Sequence, residues 1–281
     1  MDELISVIMP VWKPNLEQFN LAVNSILSQS YSNIEFLIIY KKSNKILDVK
    51  INEIINKNKN DQRLKFIINN EGFVERLNLG IKLSKGSIIA RMDADDISIK
   101  NRFEEQIKYL RKNNYSILGS WVYSISTYGD VIGTIEPPFE PNQIRNKIMW
   151  HSTISHSSMI MEKKMLDHIG GYDPKLMGAE DYELYLRAIS KGYKVANIPK
   201  YLIYIREQET SMMRESKNWK KLRRSYFHAK TKAISKYGFR KIPDLFFWLL
   251  TPITFVINPK MAYFIKKTIG WYKINKKIEK I

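Results

Sequence analysis

The sequence contains no cysteine, which excludes disulfides and thiolate metal centres and leaves the chemistry to oxygen and nitrogen groups. That usage fits a cytosolic protein. The opening residues Met1-Asp2-Glu3-Leu4-Ile5-Ser6 lack the basic start and apolar core of a secretion signal, so the chain is expected to stay inside the cell. Long hydrophobic runs are missing too: Leu245 to Ile257 would form a helix of about 20 Å against a hydrocarbon core of about 30 Å, and Pro252 interrupts it. Acids are scarce beside bases, with 28 Asp and Glu against 46 Lys and Arg and a formal charge of +18. The shortage is local, because from Arg214 onward 18 Lys and Arg face only Glu215, Asp244 and Glu279. The first 213 residues are therefore nearly neutral, a pattern of a body with a basic tail.

What is present fills a normal core. The chain has 281 residues, 44% of them hydrophobic, enough for one large α/β domain or two small ones. Continuous apolar runs at Leu4 to Val11, Ile34 to Tyr40, Leu64 to Ile68 and Ser87 to Met92 read as buried strands, the first ended by Pro10. Between them Asn15 to Ser30, Ile46 to Asn58 and Phe73 to Leu83 carry apolar residues at helical spacing. This alternation predicts βαβ crossovers and a mostly parallel, Rossmann-like sheet flanked by helices, with ligands bound beyond the carboxyl ends of the strands. Further along, Arg102 to Lys112 reads as a helix and Ile117 to Ile135 as β-rich. A short helix is expected near Ile144 to Met149, a strand at Ser157 to Met161 and a helix at Lys163 to Ile169.

Two acidic constellations stand out. In Arg91-Met92-Asp93-Ala94-Asp95-Asp96 an apolar run stops at three carboxylates; in extended backbone Asp93 and Asp95 would point to one side. Such a pair suits a hard cation, Mg2+ or Mn2+, or it is a surface turn capping the next helix. Downstream, Gly178-Ala179-Glu180-Asp181 opens a helix with Tyr182, Tyr185, Leu186 and Ile189 on one face. Acids in a first turn complement the helix dipole in any case, and the small residues before them leave room for another molecule.

Taken in order, Ser6-Val7-Ile8-Met9-Pro10-Val11, Ser25-Ile26-Leu27-Ser28-Gln29-Ser30-Tyr31, Asn70-Glu71-Gly72, Leu77-Asn78-Leu79-Gly80, Ala90 to Asp96, and Gly170-Gly171-Tyr172-Asp173 before Glu180-Asp181 resemble the family 2 inverting glycosyltransferases of bacterial surface-polysaccharide type. The resemblance spans roughly residues 4 to 210. It implies the GT-A fold and a nucleotide-diphosphate sugar donor, a UDP-sugar first. By this likeness Asp93 and Asp95 hold Mn2+ or Mg2+, and Pro10, Trp12, Tyr40, Asn78, Arg91 and Asp93 lie on the donor side. Asp181 would be the base that deprotonates the acceptor hydroxyl, its ionised state favoured by the helix start, with Glu180 orienting the acceptor or supporting Asp181. The implied division is a GT-A domain over 1–213, in which residues 1–98 bind the nucleotide and residues 99–213 form the acceptor side. A basic helical extension over 214–281 follows.

The departures matter as well. Where family members carry an Asp-Asp-Gly-Ser type sequence that reads the donor's base, this chain has Tyr40-Lys41-Lys42-Ser43; either Tyr40 offers a ring for stacking and the lysines a contact to phosphate, or the donor differs from the usual UDP-sugar. Trp12-Lys13 replaces a common Tyr-Asn, and near Tyr204-Ile205-Arg206 a frequent histidine is absent. His156 lies where the family often has a histidine on the acceptor side. These departures leave open a catalytically degenerate protein acting as an assembly partner at a membrane surface. The Gln-x-x-Arg-Trp motif of processive synthases and the glycine-rich loop of nucleotidyltransferases are both missing.

In the tail, Trp219, Leu222, Tyr226 and Phe227 alternate with Lys220, Lys221, Arg223, Arg224 and Lys230, and the apolar Leu245 to Ile257 follows. Aromatic and apolar residues flanked by lysines read as an interfacial anchor on an anionic membrane, at the cytoplasmic face, or as a helical subdomain packed on the core or a dimer interface. The same charges carry no nucleic-acid fold signature, so no nucleic-acid partner is expected. The acceptor implied by tail and family together is a lipid-linked or surface glycan.

Overall fold

The computed structural model describes residues 3–207, 209–255 and 272–273, and the side chains of 209–219, 254–255 and 272–273 lie outside that description. Strands β1 (Ile5–Val11), β2 (Ile34–Tyr40), β3 (Leu64–Ile68) and β4 (Ile88–Arg91) alternate with helices α1 (Leu16–Leu27), α2 (Lys45–Lys57) and α3 (Phe73–Leu83). They pair in parallel in the order β4-β1-β2-β3. Successive residues of β1 face opposite sides. Val7, Met9 and Val11 join Phe19, Phe36 and Phe103 in one core, while Ile8 joins Leu37, Leu77 and Tyr185 in the other.

Pro10 does not end its strand. Ile8 O accepts from Met92 N beyond β4 and Val11 O from Lys41 N beyond β2, so by alternation Pro10's missing N–H falls on the β4 side. There the β1–β4 ladder stops at Ile8–Arg91, while the β1–β2 ladder, to which Pro10 does not donate, runs on to Val11–Tyr40.

Beyond β4 come β5 (Ile97–Ser98), α4 (Arg102–Asn113), β6 (Ile117–Ile125), β7 (Val131–Ile135), α5 (Pro141–Lys147), β8 (Ile160–Glu162), α6 (Lys163–Ile169), α7 (Glu180–Ser190) and β9 (Val195–Arg206). The expected strand at Ser157 to Met161 is a 3-10 turn at His156–Ser158 followed by β8. β8 runs antiparallel to both β4 and β6, and β9 runs parallel to β6. The sheet is therefore parallel in its first half and mixed in its second. β6 and β9 point the same way as β1, so Val11, Tyr40, Arg91, Ile125 and Arg206 all end on one rim.

Long helix α8 (Glu209–Lys236) runs across the division expected at residue 214. It packs on α7: Tyr226 lies against Tyr182 with ring centroids 5.0 Å apart, and the Tyr237 hydroxyl just beyond α8 donates to Glu183 at 2.5 Å. A final helix α9 (Ile242–Leu250) leads into a 3-10 turn at Thr251–Phe255, and β10 (Tyr272–Lys273) pairs with β7. The end of the apolar run, 256–257, lies outside the described residues, as does the rest of the basic tail apart from β10. Among the described residues no helix is long and apolar enough to cross a membrane.

Candidate functional site

The first acidic constellation lies on the rim. β4 stops at Arg91, the chain turns through Ala94 and Asp95, and β5 starts at Ile97. Convergence comes from this turn and not from strand alternation, so it gathers three residues: carboxylate oxygens of Asp93, Asp95 and Asp96 lie within 4.8 Å of one another. Burial and repulsion from Asp93 push Asp95 up to about 6. Burial with repulsion from Asp93 and Asp95 pushes Asp96 up to about 8. A cluster of three carboxylates, made of hard oxygen donors, fits Mg2+ or Mn2+.

Buried side chains fix the turn. Asp96 accepts from Ser157 Oγ at 2.5 Å and from Arg206 N at 2.9 Å. The Arg206 guanidinium donates to the carbonyl oxygens of Asp95 (3.0 Å), Ser126 (2.9 Å) and Thr127 (3.0 Å). Thus, in the stretch where the family's frequent histidine is absent, an arginine braces the acidic turn to the β6–β7 hairpin. Arg102, fully buried, donates to Arg91 O at 3.1 Å and to Gln106 Oε1 at 3.0 Å, holding the end of β4. Arg76 does the same for its neighbours, donating to Val11 O at 2.7 Å and Ile39 O at 3.4 Å.

Arg91 is buried and ion-paired to Asp93, and its Nε has no hydrogen-bond partner. Its charge also lowers Asp95, Glu180 and Asp181, so it acts on both acidic constellations. Glu180 accepts from Gly178 N, and Asp181 from Tyr182 N at 2.7 Å. Burial and the neighbouring Glu180 push Asp181 up to about 7. The helix start favours the ionised state and desolvation opposes it, which leaves the group poised near neutrality. Burial raises Glu180 too.

Other sequence candidates are placed differently. Tyr40 is 2% exposed, stacks on Phe66 and donates to Asp48 at 2.5 Å; its ring belongs to the core, not to the rim. Asn78 spends both ends of its amide on the Tyr172 backbone, Nδ2 donating to the carbonyl and Oδ1 accepting from the N–H, each at 2.9 Å. It staples α3 to the loop before α7. Pro10 is buried inside β1. Trp12 does stand on the rim, 51% exposed, with Lys13 Nζ 5.1 Å and Lys41 Nζ 5.9 Å from its ring centroid. His156 bonds the Tyr172 hydroxyl at 2.9 Å, and burial together with Arg91 holds it well below its usual range.

Sequence reasoning passed over Arg76, Arg102, Arg206 and the Asp96–Ser157 bond as members of the site. Asp96 was visible in the cluster. The arginines gave no signal, because each serves carbonyls brought close only by the fold.

Residues 6–170 match the family described as glycosyl transferase family 2. A protein of Methanocaldococcus jannaschii named as an uncharacterized glycosyltransferase is 30% identical over 254 residues, 87% of this chain and 84% of that one. WfgD of Escherichia coli, named UDP-Glc:alpha-D-GlcNAc-diphosphoundecaprenol beta-1,3-glucosyltransferase, is 27% identical over 80% of this chain and 85% of its own. Among solved structures, residues 1–349 of S. aureus TarS in complex with UDP-GlcNAc match with a TM-score of 0.64 at 16% identity, covering 94% of this chain and 75% of that one. The mannosyltransferase PcManGT from Pyrobaculum calidifontis, in complex with GDP-Man and Mn2+, matches with a TM-score of 0.61 at 13% identity, covering 94% and 79%. At these identities the likeness is one of fold.

Proposed function

We infer the reaction from membership: the chain belongs to glycosyltransferase family 2 and is a glycosyltransferase with the GT-A fold, using a nucleotide-sugar donor. The reaction that follows is metal-dependent, inverting transfer of one sugar from a nucleotide diphosphate, UDP first, to a hydroxyl of a lipid-linked or surface glycan. The protein would work on the cytoplasmic side, at the inner face of the membrane. What carries this reading is the meeting, around buried Arg91, of a three-carboxylate cluster and a second acid whose pKa lies near neutrality. Donor and acceptor classes are supported by the TarS complexes with UDP and UDP-GlcNAc and by the lipid-diphosphate acceptor in the name of WfgD.

In mechanism, Asp93 and Asp95 would hold the cation, with Asp96 keeping their turn in place through Ser157 and Arg206. Bound there, Mn2+ or Mg2+ supplies positive charge to the departing diphosphate. Asp181 takes the proton of the acceptor hydroxyl. As the acceptor oxygen bonds to the anomeric carbon, the bond from that carbon to the diphosphate oxygen breaks, and one displacement inverts the centre. A pKa of about 7 keeps Asp181 ionised for a useful fraction of the time while leaving it basic enough to accept the proton. Glu180, held by Gly178 N, supports Asp181 and keeps its pKa high.

The test separates the two constellations. In thermal-shift measurements against a panel of nucleotide diphosphates with and without Mn2+, one nucleotide should stabilise the parent protein only with metal. Asp95→Ala should lose that shift, and Asp181→Asn should retain it while losing transfer. The reverse pattern overturns the roles.

A further inference from the structure

A short amphipathic helix normally buries its apolar stripe and shows its charges to water. In α9 apolar side chains lie on both sides, and its one charged residue, Asp244, is buried. Toward the body it presents Asp244, 3% exposed and held by two Arg145 bonds of 2.8 Å. On that side Trp248 also donates from Nε1 to Thr231 at 3.0 Å, and Phe247 meets Trp150 edge-on at 4.9 Å. Outward it presents Ile242 (83% exposed), Leu245, Phe246 (54%) and Leu249 (64%), at helical positions i, i+3, i+4 and i+7, continued by Ile253 (56%).

The orientation is locked. Turning the stripe inward would pull Asp244 from the half-buried Arg145, whose guanidinium also lies 4.0 Å from the Phe239 ring centroid, and would withdraw Trp248 from Thr231. The surroundings are of one sign. Between Lys220 and Phe255 the sequence holds nine Lys and Arg against Asp244 alone; that acid is buried and paired, and of the nine bases Lys230 is buried and Lys232 pairs with Asp173. Lys236, Arg240 and Lys241, next to the stripe in sequence, are exposed.

We infer that the outer face of α9 and the following turn is a docking surface for an anionic lipid bilayer, with Phe246 and Leu249 entering the acyl boundary and Lys236, Arg240 and Lys241 meeting headgroups. Charge complementarity selects this occupant. A second copy of the same face would bring like charges together, whereas an anionic leaflet attracts each Lys or Arg by about 1 kcal/mol. Nine helical residues, about 13 Å, lie in the interface and do not span it. This face gives the membrane location proposed above a place on the molecule, on grounds independent of the transfer chemistry.

The experiment is vesicle flotation of the full chain without donor or acceptor, using phosphatidylcholine alone and phosphatidylcholine with an equal share of phosphatidylglycerol. The parent should float with the anionic vesicles only. Phe246→Ser combined with Leu249→Ser should weaken that binding by at least about tenfold, with unchanged thermal unfolding and unchanged transfer to a soluble acceptor. Lys236→Glu with Arg240→Glu should weaken it comparably. No flotation of the parent, equal flotation with both vesicles, or undiminished flotation of both variants overturns the proposal. So does a dimer in solution that the Phe246/Leu249 variant dissociates. Because transfer to a soluble acceptor is measured separately, its failure speaks against the glycosyl-transfer reading and leaves the docking result intact.

Discussion

At Asp181 two opposing effects meet, and their sizes decide the outcome. A helix start stabilises the anion by about 0.3–1 kcal/mol at an exposed site, whereas burial beside Glu180 moves the group up to about 7. For the base role proposed for Asp181 the working form is the carboxylate, so transfer should fall about tenfold for each pH unit below about 7 and level off above it. A pH profile of kcat/KM in the parent checks this. The same shift fixes a stability sign. An unfolded aspartate ionises near about 3.9, so ionised Asp181 weakens the fold progressively as pH rises from there through about 7. Asp181→Asn removes that burden: at a pH of about 8 the variant should unfold at the parent's temperature or higher while losing nearly all transfer. A drop in unfolding temperature would mean that the carboxylate is structural.

The arginines belong to the scale of elements, since each joins two or more segments. Arg206 ties the acidic turn to the β6–β7 hairpin, and Arg102 ties α4 to the end of β4. Replacing a buried guanidinium that satisfies several carbonyls costs about 2–5 kcal/mol, so Arg102→Leu should lower thermal stability strongly. Arg206→Lys should act differently. Lysine cannot span three carbonyls with a planar fork, so the acidic turn loosens. The Mn2+-dependent thermal shift should shrink while the unfolding temperature without metal changes less.

Elements also show how far the sequence was legible. Strands β1 to β4 and helices α1 to α3 follow from continuous apolar runs and helical spacing, because a parallel sheet buried on both faces leaves that pattern in the chain. β9 left a broken one. Pro199 and Lys200 interrupt it at a register shift, where Ser120 pairs with Ile198 but Trp121 with Tyr201, and the bulge hides a twelve-residue strand. The three-acid turn, Tyr40's inward ring and Asn78's double bond to Tyr172 all depend on partners that a linear pattern does not reveal. Which side of α9 faces out depends on an Arg145–Asp244 contact across 99 positions.

For the whole molecule, Asp244→Ala should be the informative latch variant. It leaves the half-buried Arg145 without its carboxylate, so it should lower thermal stability by about 1–3 kcal/mol and reduce vesicle binding together with it, because α9 is no longer held in its outward orientation. A variant that unfolds early yet floats as the parent does would show that the stripe needs no latch. Raising salt should weaken flotation while leaving the latch intact, since surface attraction is screened and a buried pair is screened much less.

Helix α8 packs against both α7 and α9, seated so closely on the residues before α7 that a Cβ on Gly178 would come within 2.7 Å of Leu222. An enzyme held by that stripe meets a membrane-borne acceptor by searching a surface, not a volume. Its rate then follows the number of acceptors per unit area of bilayer, and diluting vesicles at fixed acceptor density leaves the turnover of bound enzyme unchanged. Thinning the acceptor within the bilayer at constant total amount should slow it. On the docking proposed above, catalysis would be governed by two-dimensional density, a quantity that no soluble assay reads.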